Sequence, residues 1–155
     1  MRFCYKFIIL ILTAVIFNAC AGADTPHTPL ETLKTYIIAV KQKDTTTMKL
    51  LLSDASIKMA EQEAKAQNVT LDEIVKRETL FGENQKTVEF RNEKIDGDRA
   101  TIEMKDAYNA WNTVPFVREA DTWKIDKQAA ADLMMQNFDQ SDKKLDDIIN
   151  QSKQP

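Results

Sequence analysis

The chain has 155 residues, a formal net charge of −3 and only three glycines. Its length suits a single domain with one hydrophobic core. The acidic balance, without any basic run, argues against nucleic-acid binding, and so few glycines leave no room for a phosphate-binding glycine loop. We therefore expect a small domain that binds neither nucleic acids nor nucleotides.

The first predicted element is an export signal. Arg2 and Lys6 precede an almost wholly apolar run of eleven residues, Phe7–Phe17. A membrane-spanning helix needs roughly 20 such residues, whereas a signal peptide has an apolar region of about this length. We predict that residues 1–19 are a signal peptide, which is removed from the mature protein.

Cys20 follows this run at the distance of a lipid-attachment cysteine. The sequence from Phe17 to Cys20, FNAC, resembles a bacterial lipobox, which implies that Cys20 is acylated and becomes the mature N-terminus. Each buried methylene of an acyl chain adds about 0.8 kcal/mol of membrane affinity. A second interpretation stays open, because residues 21–23, AGA, form a small-x-small site at which ordinary signal peptidase would cut before Asp24.

The lipobox resemblance also implies a location. With Ala21 behind the cysteine, the protein would go to the outer membrane of an enteric-type bacterium and face the periplasm. Cleavage before Asp24 would instead give a soluble periplasmic or secreted protein. Cys4 leaves with the signal in both cases, so the folded part has no pair of cysteines for an internal disulfide.

Residues 20–27 form a linker, after which helices are predicted. Thr28 can cap the first free amides of a helix, Pro29 suits the first helical position, and Glu31 completes a capping box. The same logic applies at Thr70. The further helices predicted before the strands are 44–52, 55–67 and Thr70 to about Leu80, with Gly82 ending the last one.

From Gln85 the period of the apolar positions changes from helical to two, which indicates strands. Asp96-Gly97-Asp98 and Ala120-Asp121 supply turns. Pro115 predicts that the third strand lies at an edge or carries a bulge. The predicted strands are 85–95, 99–106, 113–119 and 122–126, and a closing helix is predicted over 128–138.

Alternation along these strands separates a core face from a solvated, mixed-charge face. The predicted core set is Val88, Phe90, Ala100, Ile102, Met104, Val114, Phe116, Trp123 and Ile125. Four polar residues share its parity: Asn92, Lys94, Asp106 and Arg118. Helices before and after a run of strands predict an α+β domain over 28–138, with N-terminal helices packed on a four-stranded antiparallel sheet and a C-terminal helix. Residues 139–155 are a helical extension or a loosely held tail.

Two segments carry a family resemblance. TPLETLKTYIIAVKQKD, from Thr28, and VPFVREADTWKID, from Val114, resemble small bacterial lipoproteins with an uncharacterised domain of the nuclear transport factor 2-like superfamily, which has a cystatin-like fold. The resemblance extends over nearly all of Thr28 to Phe138. It implies a cone in which a strongly curved sheet cradles the helices, and it brings no catalytic set with it, because this fold serves many unrelated functions.

A cone can enclose a pocket, and four residues are candidates for its mouth. Asp106 and Arg118 come toward strand ends and could orient a small polar ligand, or they simply reach water. Tyr108 and Trp111 line a rim, or they plug the open end of the sheet. The single histidine, His27, lies in the linker, so composition excludes a metal site built from histidine and cysteine.

The remaining apolar features receive structural interpretations. The dispersed methionines are interpreted as core filling: Met48, Met59, Met104, Met134 and Met135. Near the C-terminus, Leu145, Ile148 and Ile149 form a small amphipathic patch, which docks on a partner or on the domain, or belongs to a loose end.

We expect a lipid-anchored envelope protein whose domain is a non-catalytic binding or interaction module, without cofactor or metal. Its expected partners are the membrane, through lipid on Cys20, and a second copy or another envelope protein; the sequence names no ligand. Two alternatives stay open. One is an enzyme that acts on a small apolar substrate inside the cone, with Asp106 as its polar group. The other is a structural envelope subunit that dimerises through the outer sheet face.

Overall fold

The structure is a computed structural model and describes residues 28–82, 85, 87–106 and 108–151. The predicted signal peptide, Cys20 and the linker lie outside the described residues, as do the last four residues of the chain.

The described residues form an α+β domain, as predicted. Helices come first, an antiparallel sheet follows, and a long helix ends the described chain. The elements are α1 Pro29–Gln42, α2 Thr45–Leu50, α3 Asp54–Gln67, α4 Leu71–Arg77, β1 Phe90–Asp96, β2 Arg99–Lys105, β3 Trp111–Glu119, β4 Thr122–Ile125 and α5 Lys127–Gln151.

Both predicted capping boxes are present. At α1 the backbone amide of Glu31 donates to Thr28 Oγ1 over 3.1 Å, and the amide of Thr28 donates to the Glu31 carboxylate over 3.2 Å. At α4 the corresponding distances between Thr70 and Glu73 are 3.2 and 2.8 Å. Each box satisfies two amides that the first helical turn leaves free, so these short motifs fix where the helices begin.

The end of α4 differs from the prediction. The helix stops at Arg77 rather than near Leu80, and Gly82 lies beyond it. After Arg77 the chain turns so that Phe81 enters the core, while the carbonyl of Glu78 accepts a hydrogen bond of 2.7 Å from Lys127 Nζ. Burial of one aromatic side chain and this long-range contact outweigh the glycine stop signal.

The sheet is a simple antiparallel meander in the order β1-β2-β3-β4. Ile102 pairs with Val114, and Phe116 pairs with both Ala100 and Ile125, so the predicted core residues share one face. The apolar side of α1 packs on that face. Fully buried side chains in this layer include Leu33, Tyr36, Met48, Ile102, Met104, Phe116 and Ile125. The predicted core face of β2, β3 and β4 is therefore confirmed.

Strand β1 departs from the predicted alternation. It begins at Phe90 rather than Gln85, and a bulge shifts its register after Arg91, where Asn92 has a φ of 54°. Beyond the bulge, Lys94 lies opposite Thr101 on the outer face, and Asn92 donates to the outer-face Glu103 over 3.0 Å. The prediction that Asn92 and Lys94 point inward is wrong, because the extra residue of a bulge reverses the parity that follows it.

The prediction that Pro115 places its strand at an edge or a bulge is wrong for the sheet as a whole. Pro115 lies in β3, which is an interior strand, and its pairing with Thr101 is regular. In an antiparallel strand the N–H and C=O of a residue point to the same side. The carbonyl of Pro115 accepts a hydrogen bond from the amide of Asp126, which lies just past the end of β4. The N–H that proline lacks would have pointed to the same side, beyond the last residue of that short strand. The proline is tolerated because β3 is locally an edge there.

Ile125 ties the sheet to the helices. Its amide donates to Leu51 O over 2.8 Å, and its carbonyl accepts from the amide of Ser53 over 2.9 Å. Ser56 Oγ donates to the same carbonyl over 3.2 Å and accepts from the amide of Lys127 over 2.7 Å. We call this set of contacts the β4 junction; it connects the start of α3, the end of β4 and the start of α5.

Tyr36 places an unpaired hydroxyl inside the core. The side chain is fully buried, and its oxygen has no hydrogen-bond partner among the described residues. Burial raises the pKa of the Tyr36 hydroxyl above its ordinary value. A buried donor without a partner loses the hydrogen bonds that it made to water, so this atom opposes folding while its ring supports folding.

We expect Tyr36→Phe to increase the free energy of unfolding by about 1 kcal/mol, because it removes the unpaired hydroxyl and keeps the ring. Urea unfolding followed by circular dichroism measures the change. The unfolded chain ionises this tyrosine near pH 10 and the folded chain does not, so wild-type stability falls above about pH 10 and the advantage of the variant grows there. Tyr108→Phe, at an exposed position, is the control, and equal stabilities of Tyr36→Phe and wild type would contradict the prediction.

Ser56→Ala should destabilise the domain by about 1–3 kcal/mol, because the half-buried amide of Lys127 is left without its acceptor. The free energy of unfolding from urea titration measures the cost. Thr87→Ala removes an exposed hydroxyl and should stay within about 0.5 kcal/mol of wild type. A cost for Ser56→Ala no larger than that of the control would show that the junction does not depend on this side chain.

Candidate functional site

The space between α1 and the sheet is occupied by the chain's own side chains. Leu33 and Tyr36 of α1 meet Ile102, Met104 and Phe116 of the sheet, and all five are buried. Interiors of this kind are close-packed, with few voids larger than a water molecule. The core face of the sheet is thus used for packing along α1.

Asp106 organises the connection between β2 and β3. Its Oδ1 accepts from the amides of Tyr108 and Ala110 over 2.8 and 2.9 Å, and its Oδ2 accepts from Asn112 Nδ2 over 2.9 Å. The hydrogen bond from Ala110 leads the contacts that hold the pKa of Asp106 below its usual range. A general acid at neutral pH needs the opposite shift, so the arrangement suits a carboxylate that orders a loop.

Tyr108 and Trp111 lie outside the core layer. Tyr108 is 91% exposed in the loop that Asp106 orders. Trp111 pairs with Lys105 and lies on the outer face of the sheet, where the guanidinium carbon of Arg91 is 3.9 Å from the centre of its ring. Lys105 Nζ is 5.7 Å from the same ring. The indole is therefore packed under cations on the outer face rather than at a mouth of the core layer.

Arg118 lies near the other end of the sheet. Its amide donates to Asp98 O over 2.8 Å beside the β1–β2 turn, and its guanidinium is 3.4 Å from Asp121. At roughly 3.3 Å per residue, β3 carries Arg118 about 23 Å from Trp111. The structure therefore does not bring the four predicted rim residues together into one site.

The outer face of the sheet is charged and internally paired. Arg91 Nε is 2.7 Å from the Glu103 carboxylate, and Lys105 Nζ is 3.2 Å from that of Glu89. Interface centres are usually depleted of charged residues. A dimer on this face would have to bury these charges.

Among the residues that the structure describes, most of the exposed large apolar side chains are on α5. Every side chain described from residue 131 to 149 is exposed. Met134 and Met135 are 60% and 68% exposed, so the prediction that they fill the core is wrong. Phe138, Leu145 and Ile148 are 64%, 56% and 63% exposed. We call Ala131, Met134, Met135, Phe138, Leu145 and Ile148 the apolar stripe.

The apolar stripe combines two features for which the sequence pattern leads to separate predictions. The sequence pattern predicts Met134 and Met135 in the core, and Leu145, Ile148 and Ile149 in a small C-terminal patch. The steps between Ala131, Met134, Phe138, residue 141, Leu145 and Ile148 alternate between three and four residues, which places them along one side of a helix. This spacing is the sequence signal for one apolar side of a single helix. The structure adds that α5 is continuous through Phe138.

Two shallow grooves border the sheet. One, of about 310 Å³, lies between α5 and the sheet and is lined by residues that include Thr101, Pro115 and Leu133. The other, also about 310 Å³, lies between α1 and the start of β1 and is lined by Lys34, Ile37, Ile38, Lys41, Val88 and Phe90. Neither groove is lined by Asp106, Tyr108, Trp111 or Arg118.

Among the described residues, histidine, cysteine, aspartate and glutamate do not form a group of three that could hold a metal ion. Within the same part of the chain, each helix is too short or too polar to cross a membrane.

Comparison with known proteins gives one structural likeness. No family model matches the chain, and no curated protein sequence matches it. Among solved structures, the chain is similar to a Campylobacter jejuni protein that is provisionally named an NTF2-like transpeptidase. The two are 15% identical, with a TM-score of 0.40 over 64% of this chain and 98% of the other.

We expect Asp106→Ala to lower the urea midpoint of unfolding, because the amides of Tyr108 and Ala110 lose their acceptor. The lowered pKa of Asp106 stabilises the fold above about pH 4 and ceases to do so as pH falls through the folded-state pKa, so the difference from wild type should shrink in acid. Unfolding midpoints at neutral and acidic pH measure both effects. Asp139→Ala, at an exposed position of α5, is the control, and a midpoint for Asp106→Ala equal to that of the control would contradict the loop-ordering role.

Proposed function

We propose that this chain is a lipid-anchored protein of the bacterial cell envelope, and that its folded domain is a non-catalytic interaction module. The observation that carries the interaction part is the apolar stripe of α5. Large exposed apolar surfaces usually mark a place where another molecule binds. The side chains of the stripe are exposed and do not belong to the core of the described domain.

The environment of the polar candidates supports a non-catalytic role. Asp106 is engaged by three hydrogen bonds, two from its own loop and one from Asn112 at the start of β3, and Arg118 lies near the other end of that strand. The serines of the β4 junction, Ser53 and Ser56, are buried and bound to backbone groups and to each other. Catalysis by any of these groups would require the loss of contacts that hold the fold.

The anchor part rests on the sequence around Cys20. Thr28 is the eighth residue after Cys20, so a fully extended linker holds the start of α1 within roughly 26–29 Å of the lipid. Several acyl chains together would retain the domain at the membrane surface. The domain needs no lipid contact of its own in this arrangement, and α5 remains available to a protein partner.

The anchor is tested in a bacterium that processes lipoproteins. We expect the wild-type protein to partition into the detergent phase of a Triton X-114 extract, and its intact mass to include acyl chains on Cys20. Cys20→Ser should move the protein to the aqueous phase. Cys4→Ser is the matched control, because this cysteine leaves with the signal peptide, and it should behave as wild type. A wild-type product that begins at Asp24 and stays in the aqueous phase would overturn the anchor.

A further inference from the structure

The apolar stripe has the spacing of a helix that pairs with another helix. Ala131, Phe138 and Leu145 recur every seven residues, and Met134, Ser141 and Ile148 do the same three residues later. These are the a and d positions of a coiled-coil heptad over the exposed length of α5. Met135 widens the seam on one side. A helix with such a seam buries it against a second helix rather than against a flat surface.

We infer that α5 pairs in antiparallel orientation with α5 of a second copy of this chain. In the register proposed, Ala131 lies opposite Ile148 of the other copy, Met134 opposite Leu145, and Phe138 opposite Ser141. The small residues of one helix thus face large residues of the other. A parallel pair would instead set Phe138 against Phe138 and Ser141 against Ser141, with a bulky layer beside an underfilled one.

Ser141 is suited to burial in this seam. Its Oγ donates to Asn137 O over 2.9 Å within its own helix. A hydroxyl that is already hydrogen-bonded costs little when it is removed from water. The polar residue that interrupts the stripe can therefore accept the ring of Phe138 from the second copy.

The area is sufficient for a specific contact. The five large side chains of the stripe expose on the order of 600 Å² per chain, and specific interfaces bury roughly 600–1,000 Å² per partner. Two-fold symmetric pairs are the commonest assemblies of identical chains, and the antiparallel arrangement has that symmetry.

Charge distinguishes a protein partner from a lipid surface. Residues 131–151 contain five aspartates and two lysines, and no arginine. Helices that lie on membranes carry lysine and arginine on their polar face, because membrane surfaces are negatively charged. The polar side of α5 would be repelled by such a surface, which argues against a lipid occupant of the stripe.

This inference rests on the proposed interaction role and names its partner, whereas the lipid anchor is independent of it. Association is measured by sedimentation equilibrium of the mature, full-length protein in a detergent that matches the solvent density. We expect a dimer for wild type. Phe138→Asp should weaken the dimer by roughly thirtyfold or more, as expected when an anchor residue is lost.

Gln140→Asp is the matched control. It adds the same charge two residues away, on the opposite side of α5, and should leave the dimer unchanged. Circular dichroism should show that both variants keep their helix content, because the positions are exposed. A monomeric wild type, or a Phe138→Asp dimer as tight as that of Gln140→Asp, would overturn the inference. Neither of these outcomes changes the partitioning of the protein into the detergent phase. The lipid anchor is therefore tested independently of the dimer.

Orientation is tested with single cysteines. Met134→Cys in one copy and Leu145→Cys in the other should form a disulfide when the two chains are co-expressed, since the register places them opposite each other. Met134→Cys alone should not cross-link to itself. Self-cross-linking of Met134→Cys would indicate a parallel pair, and cross-linking only to a different protein would indicate another occupant; either result would overturn the proposed arrangement.

Discussion

The fold depends on the hydrogen bonds made by the backbone groups along the free edge of β4. That strand is only four residues long, and its outer edge would otherwise expose unpaired backbone groups. Leu51 and Ser53 satisfy the amide and the carbonyl of Ile125, and Ser56 joins the same carbonyl to the amide that opens α5. A buried hydrogen bond contributes about 1 kcal/mol when made and costs more when one partner is left alone. The helical layer, the sheet and α5 therefore meet at one set of shared atoms.

Local motifs could be predicted well from the sequence. The capping boxes of Thr28 and Thr70 use residues three positions apart, so their outcome depends little on the rest of the chain. The turn at Ala120 and Asp121 is similar, because both residues take the left-handed conformation that a tight hairpin requires. The α+β order and the core face of the later strands followed from periodicity for the same reason.

Features set by distant contacts could not be predicted in this way. The bulge at Asn92 inverts the parity of β1, and the alternation of polar and apolar residues does not indicate the extra residue. Pro115 is acceptable only because β4 ends beside it, which depends on the length of another strand. Helix α4 ends early because Phe81 and Glu78 have partners elsewhere. In each case a non-local contact outweighed a local preference.

The candidate site shows the same difference between local features, which could be predicted, and features set by distant contacts, which could not. Asp106 comes near a strand end, as predicted, but its hydrogen-bond partners lie in the following loop and at the start of β3, and parity gives no information about them. For α5, the amphipathic pattern identified an apolar side without saying whether the domain covers it. Only the path of the helix away from the sheet separates a core side chain from an exposed one.

The exposure of α5 also divides the methionines by their chemistry. Met48 and Met104 are enclosed by the core, whereas Met134 and Met135 present their thioethers to solvent. Oxidants therefore reach the stripe before they reach the core. Conversion of a thioether to a sulfoxide makes a flexible apolar side chain polar. Mild oxidation would thus reduce the apolar character of the exposed surface while the packing that holds the domain together stays chemically intact.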